Sequence, residues 1–172
     1  MQVLVAYASR QGATAEIAAK IGEVLSENGI AATVLPASQV TDLSPYQAVV
    51  LGSAVYMGQW LKEAADFLRN NQDELAKRMV WLFSSGPTGP APVGRLLKTW
   101  RFPKSLLPIA ERVRPRDIIV FHGALDMAKL SLPERMVVSG IKAHWGDYRD
   151  WDVIAVWADT IADALKAAVQ DN

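Results

Sequence analysis

The sequence predicts an α/β fold: a doubly wound, five-stranded parallel sheet in the order 2-1-3-4-5, with helices on both faces. Two observations predict the architecture and a third places the working edge. Short runs that are apolar at every position alternate with longer stretches whose apolar residues recur every three or four positions. That is the pattern of strands covered on both faces and joined by amphipathic crossover helices. The length, 172 residues, suits one domain over residues 1–172 with a core of its own. The loops leaving the first, third and fourth runs are rich in glycine and hydroxyl side chains. In a sheet of this order those loops converge beyond the carboxyl ends of the strands, at the switch between strands 1 and 3.

The first strand is Val3-Leu4-Val5-Ala6-Tyr7. A helix over residues 13–28 follows, with Thr14, Ile17, Ile21, Val24 and Leu25 on one face and Asn28-Gly29 as its stop. Residues 31–35 make a second strand closed by Pro36, and residues 41–45 a loop with room for one helical turn. The third strand covers residues 48–53, and a helix over 59–71 turns Trp60, Ala64, Phe67 and Leu68 inward. The fourth strand, residues 79–83, runs into a stretch from Ser84 to Pro92 too rich in glycine and proline to be anything but loop. Residues 93–116 hold a short helix at 94–100, broken at Pro103 and Pro108. Residues 118–122 are the fifth strand, with His122 at its end as a hydrogen-bonded structural residue. A helix within 130–145 begins near Pro133 and carries Met136, Val137 and Ile141 as its apolar side. Asp150 caps the last helix, whose stripe is Ile154, Trp157, Ile161, Leu165 and Ala168.

Composition removes several classes of function. With no cysteine there are no disulfides, thiol chemistry or Cys-ligated metal, and two histidines are too few for a His-rich metal site. The chain opens directly into a strand, without a signal segment, and no apolar run is long enough to span a membrane, so a cytoplasmic protein is expected. Net charge is zero, but it is unevenly spread. Residues 86–116 carry seven basic side chains (Arg95, Lys98, Arg101, Lys104, Arg112, Arg114, Arg116) against Glu111, a net +6 that the remaining chain balances with −6. Leu96, Leu97, Trp100, Leu106 and Leu107 are interspersed. This basic connector suits an anionic ligand or peripheral contact with the inner membrane face; equally, it suits a solvated connector whose apolar residues pack on the sheet. The apolar side of the late helix suits a membrane contact or a homo-oligomer face. Nucleic acid is not expected, since the cluster is local and no recognised binding module accompanies it.

The chemistry concentrates where the first strand turns into the first helix. Ser9 and Thr14 offer hydroxyls, Arg10 a guanidinium, and Gly12 a bend without a Cβ clash. The helix that follows points its unpaired N–H groups and the positive end of its dipole at the same spot, which makes an anion site. The bland alternative is that Ser9 and Thr14 merely cap the helix. The loop matches neither G-x-x-x-x-G-K-[ST] nor G-x-G-x-x-G.

Ser9-x-x-Gly12-x-Thr14 after a first strand instead resembles the phosphate loop of the flavodoxins, which bind FMN. The resemblance implies a flavodoxin-like fold and FMN as cofactor. Ser9, Arg10, Gln11, Gly12, Ala13 and Thr14 would then hold the phosphate. Ser53, Ala54, Val55, Tyr56, Met57 and Gly58 would line one side of the flavin, with Tyr56 as first stacking candidate and Trp60 as second, although Trp60 suits the core better. Ser84, Ser85, Gly86, Pro87, Thr88 and Gly89 would border the other side. Receiver domains share the topology but need carboxylates where this chain has Tyr7-Ala8-Ser9 and Gly52-Ser53.

A narrower resemblance spans nearly the whole chain. The phosphate loop, residues 52–58, and the late blocks Phe121-His122-Gly123-Ala124-Leu125, Glu134-Arg135-Met136 and Asp147-Tyr148-Arg149-Asp150-Trp151 are similar to the bacterial flavodoxin-type, menaquinone-dependent protoporphyrinogen oxidases. That resemblance implies an FMN-dependent enzyme that takes hydride equivalents from a porphyrinogen and is reoxidised by a quinone, with the flavin and no side chain as the catalytic agent. The rivals are a flavodoxin electron carrier, an NAD(P)H:quinone reductase and a flavin-free structural relative. Electron-shuttling flavodoxins are strongly acidic, and this chain is neutral.

Overall fold

The computed structural model describes residues 1–140 and 144–170, the side chains of Glu134 and Val137 excepted. The first half runs β1 (Gln2–Ala8), α1 (Ala13–Glu27), β2 (Ala31–Pro36), β3 (Ala48–Tyr56), β4 (Gln59–Trp60), α2 (Lys62–Asn70) and α3 (Gln72–Leu75). The second half runs β5 (Met79–Ser85), α4 (Val93–Leu97), α5 (Leu107–Val113), β6 (Asp117–Phe121), β7 (Ala124–Leu125), α6 (Leu132–Gly140), β8 (Gly146–Asp147) and α7 (Trp151–Gln170). The main sheet has the order β2-β1-β3-β5-β6, and every neighbouring pair is parallel. The two-residue β4 lies off this path, folded back antiparallel on the end of β3. Without it the order is the expected 2-1-3-4-5. No helix among the described residues is long and apolar enough to cross a membrane.

Both faces of the sheet are covered, which is why its strands read as unbroken apolar runs. Val3, Val5, Val50, Trp81 and Phe83 pack under α1 and α7, against Ile17, Ile21, Leu25, Ile154, Ile161 and Leu165. Leu4, Ala6, Val49, Leu51 and Leu82 face the other way, against Ala64, Phe67, Leu68, Leu75, Leu106 and Val113. Register brings the strand ends level: Ala8 lies beside Ser53, and Ser53 beside Ser84.

Several expected boundaries move. The second helix begins at Lys62, not residue 59, because Gln59 and Trp60 pair back onto Tyr56 and Val55. The single turn after β2 is at Ala37–Gln39; at 42–44 the Asp42 side chain takes the Ser44 N–H (2.8 Å), a side-chain turn in place of a helical one. Pro108 opens α5 instead of breaking a helix, since an N–H in the first turn has no intrahelical acceptor and proline's missing one costs nothing there. Asp150 does cap α7: its Oδ1 accepts the Val153 N–H at 3.1 Å. The short α6 presents Leu132 and Met136 to solvent (76% and 78% exposed) and buries Val138. Of its expected apolar side, Ile141 and the Val137 side chain lie outside the described residues, as does the Glu134 side chain.

The tightest place in the sheet is at Gly52. A Cβ built there would meet Phe83 Cζ at 1.9 Å. The Phe83 ring is in turn fixed by Phe121 and Trp157, with centroids 5.9 and 6.2 Å away. Gly52→Ala is therefore expected to destabilise by at least ~1–3 kcal/mol through overpacking; urea unfolding measures it, and pairing it with Phe83→Leu should recover part of the loss.

Candidate functional site

The site starts at the N-terminus of α1. Gly12 is the N-cap residue at φ 95°, and its N–H is donated to Ser9 Oγ at 3.1 Å. No side chain caps the helix, so the orphan N–H groups of its first turn remain for a ligand. Ser9 thus shapes the loop without closing the helix end. Thr14 is 1% exposed and borders the groove. Among the described residues Gln11 Nε2 is buried with no hydrogen-bond partner; a buried amide donor without a partner is costly and rare.

Around this start lies a groove at the carboxyl edge of the sheet. It is lined by Ser9, Arg10, Gln11, Ala13 and Thr14 from the first loop, Ala54, Val55, Tyr56 and Met57 from the second, and Ser85, Gly86 and Thr88 from the third. The three loops expected to converge do so. Met57 and Gly58, at φ 50° and 74°, form the two-residue turn between β3 and β4, as in hairpin turns with both central residues left-handed. Met57 is 91% exposed at its tip. Trp100, from the basic connector, donates Nε1–H to the Gly58 carbonyl at 3.1 Å and braces the turn. The Arg10 guanidinium lies 4.8 Å from the Tyr56 ring centroid, a cation–π contact at the groove mouth.

Not every expected residue lines the groove. Ser53 and Ser84 are fully buried beneath it. Ser53 Oγ accepts the Leu61 N–H (3.0 Å) and Ser84 Oγ accepts Trp60 Nε1–H (2.8 Å), so both hydroxyls fasten the hairpin. Trp60 is consequently core, packed edge-on to Phe102 at 5.0 Å, and no stacking partner for a ligand. Gly12 and Gly58 shape the backbone behind the lining. The Pro87 carbonyl accepts the Gly123 N–H (3.0 Å) and contacts His122 Nδ1 (3.2 Å), tying the third loop to the end of β6. Gly89 lies against His144, away from the groove.

Four lining residues were not expected: Gly123, Ala124, Leu125 and Val138. The first three directly follow β6, so the rule that ligands sit beyond strand ends would have pointed to them. Val138 arrives from α6 and carries no local signal. Ala124 and Leu125 form β7, paired antiparallel with Asp147 and Gly146 of β8. Arg149 joins this ribbon to the phosphate loop. Its side chain is 8% exposed; it bonds both Asp147 oxygens (2.6 and 2.8 Å), Glu16 Oε2 (2.7 Å) and the Ala13 carbonyl (3.1 Å). The guanidinium holds the Asp147 carboxyl below the usual range, and Asp147, with Glu16 behind it, raises Arg149 further.

The expected FMN fits this donor set. Open first-turn N–H groups, the partnerless Gln11 amide and the Arg10 cation suit a phosphate, and the apolar and backbone walls at 54–57 and 85–88 suit a flat ring. The groove encloses about 140 Å³, below the ~300–1,000 Å³ of sites that enclose a whole small molecule. A flavin nucleotide seated here leaves part of itself outside.

A model of the flavodoxin domain matches residues 4–152. Protoporphyrinogen IX dehydrogenase (quinone) of Escherichia coli (strain K12) is 25% identical over 173 residues, covering 94% of this chain and 95% of that protein. Among solved structures, oxidised Flavodoxin 2 from Bacillus cereus superposes with a TM-score of 0.59 at 21% identity, over 96% of this chain and 99% of that one. Rubredoxin oxygen:oxidoreductase of the anaerobe Desulfovibrio gigas superposes with a TM-score of 0.66 at 16% identity. That alignment covers 98% of this chain but 37% of the other, so this chain spans about a third of that protein. Likeness at these identities is likeness of fold.

Two outcomes are expected. Gly12→Val forces a β-branched residue into left-handed backbone; it should weaken FMN at least ~tenfold while leaving riboflavin, which lacks the phosphate, within twofold, as read by flavin fluorescence. The Asp147 carboxyl is depressed, so the stability it lends is present above the ordinary carboxylate pKa and is lost as pH falls through its lowered value. The protection of the β7 and β8 amides, their exchange measured against the intrinsic rate at each pH, should stay flat from pH 7 down to ~4 and fall below that; Asp147→Asn should remove the step.

Proposed function

The chain belongs to the flavodoxin-domain family, whose cofactor is FMN, and on that premise we propose that it is an FMN-dependent oxidoreductase that oxidises protoporphyrinogen IX to protoporphyrin IX with a quinone as acceptor. The reaction is taken from the Escherichia coli relative, whose likeness runs through 94% of this chain. The observation here that supports it is the placement of the basic connector. Its Trp100 touches the Gly58 turn, and Arg95, Lys98 and Lys104 stand exposed on the same segment. The porphyrinogen carries two propionates, so cations beside the ring end of the groove match its charge.

FMN, when bound, supplies the electron-transfer chemistry, and the protein supplies position and electrostatics. The α1 start with Gln11 would bind the phosphate. The Met57-Gly58 turn and residues 85–88 would hold the two edges of the ring. The connector would orient the substrate through its propionates and leave the reacting edge to the flavin. Arg112 is bound to Asp73 at 2.6 Å and stands apart from this role. Among the described residues, no side chain lining the groove has the carboxylate–histidine or lysine pairing of an acid–base catalyst.

The neutral charge that separates the chain from acidic electron carriers supports an enzyme over a shuttle. An anaerobic spectrum of the FMN-loaded protein tests the reading. Protoporphyrinogen should bleach the flavin band and NADPH should not; bleaching by NADPH alone would make it a quinone reductase. Charge reversal of Arg95 and Lys98 to Glu should raise KM for protoporphyrinogen about tenfold, ~1.4 kcal/mol, with FMN affinity within twofold.

A further inference from the structure

The first loop reaches across to the second. Register sets Ala8 of β1 level with Ser53 of β3. The chain leaving β1 through Ser9 and Arg10 therefore emerges beside the end of β3 that carries Tyr56. The Arg10 guanidinium lies over the Tyr56 ring, 4.8 Å from its centroid, and both residues line the groove. Cation–π attraction holds within ~6 Å of a ring centroid, so the contact is made. Arg10 is exposed and Tyr56 half-buried.

A flat ring lying between these two groups needs van der Waals distance on each side, ~3.5 Å twice, or ~7 Å in all. The 4.8 Å separation leaves no such gap. A ring that stacks on this face of Tyr56 must therefore displace the guanidinium, and the outcome depends on what else Arg10 can reach. Arg10 stands two residues before Gly12, the N-cap of α1, in the loop that brings an anion to the first-turn N–H groups. A bidentate, charge-assisted bond to phosphate outweighs a cation–π contact at an exposed site.

We propose that Arg10 makes the groove selective for a phosphorylated flavin over the same ring without its phosphate. This selection rests on the flavin reading of the groove and goes beyond it, because one side chain has two mutually exclusive partners. With FMN, Arg10 leaves Tyr56 for the phosphate, and the ring takes its place. With riboflavin, the same cation must be displaced and has nothing to receive it. Arg10 thus favours FMN twice, by its bond to the phosphate and by opposing a ring that lacks one. By linkage, phosphate and ring also assist each other when they are separate molecules: inorganic phosphate that draws Arg10 away frees the ring site.

Flavin fluorescence titrations of the apoprotein with FMN and with riboflavin test this. Arg10→Ala and Arg10→Gln should each weaken FMN at least ~tenfold and tighten riboflavin ~two- to fivefold, the size of an exposed cation–π contact. Saturating inorganic phosphate should tighten riboflavin by a similar factor in the wild type and have no effect in either variant. In a Tyr56→Leu background, Arg10→Ala should no longer tighten riboflavin, since the cation has no ring to cover. An arginine that only shaped the loop would, on removal, weaken both flavins together. The proposal is overturned if the variants leave riboflavin affinity unchanged or lower it, if they leave FMN within ~twofold of the wild type, or if phosphate acts alike on wild type and variants. If the wild type binds neither flavin, the flavin reading itself fails; that failure shows in the first titration, before any variant is made.

Discussion

The structure depends on one constraint: its central strands are buried on both faces. Val3, Leu4, Val5 and Ala6 of β1, and Ala48, Val49, Val50 and Leu51 of β3, are all 0% exposed. Such strands have no room for polar chemistry along their length, because an unpartnered polar atom there would cost the full desolvation penalty. Polar side chains can therefore appear only where the strands run out. Parallel pairing puts those ends on one edge, and register makes them level. The site is a consequence of the core, and its position follows from topology before any ligand is considered.

Within that edge the hydroxyls divide by depth. The first ones past the apolar run, Ser53 and Ser84, are still under cover and bind the hairpin through Leu61 and Trp60. One residue further on, Ala54 and Ser85 reach the groove. The hairpin in turn carries Tyr56 and Met57 to the mouth, and Trp100 secures its tip from the connector. This gives the connector a structural part that its charge alone did not suggest. Leu106 is fully buried and Phe102 packs on Trp60, while Arg95, Lys98 and Lys104 point to solvent. The segment therefore both fastens to the core, through Leu106 and Phe102, and presents cations outward.

The fold was legible because its signals are local and repeated. Helix α1 declared itself by spacing and by Asn28-Gly29, and α7 by Asp150 and its stripe. What escaped came from long-range pairing. Gln59 and Trp60 look helical beside Lys62–Asn70, and only their pairing with Val55 and Tyr56 makes them strand; Met57-Gly58 lacks the Asn-Gly signature of such turns. The β7–β8 ribbon joins residues 124 and 147, too far apart and too short for any periodicity to register. That the first loop would line a groove at the start of α1 was readable from residue types alone. Which hydroxyls face the groove was not, since that is decided by partners elsewhere in the chain.

Arg149 shows how the same logic governs charge. A nearly buried guanidinium beside an anion site suggests a direct ligand for phosphate. Its two carboxylate partners argue otherwise: Asp147 takes two of its bonds and Glu16 a third, so its charge is matched before a ligand arrives. Its bond to the Ala13 carbonyl holds the first turn of α1 from outside. The role that remains is mechanical: Arg149 fixes the helix start against the β7–β8 ribbon whose Ala124 and Leu125 wall the groove. On the proposed reading, attraction for the anion would come from the open first-turn N–H groups and from Arg10. Donors fixed by backbone need no reorganisation when a phosphate enters, and a clamp that carries no spare charge keeps them fixed without competing for the ligand.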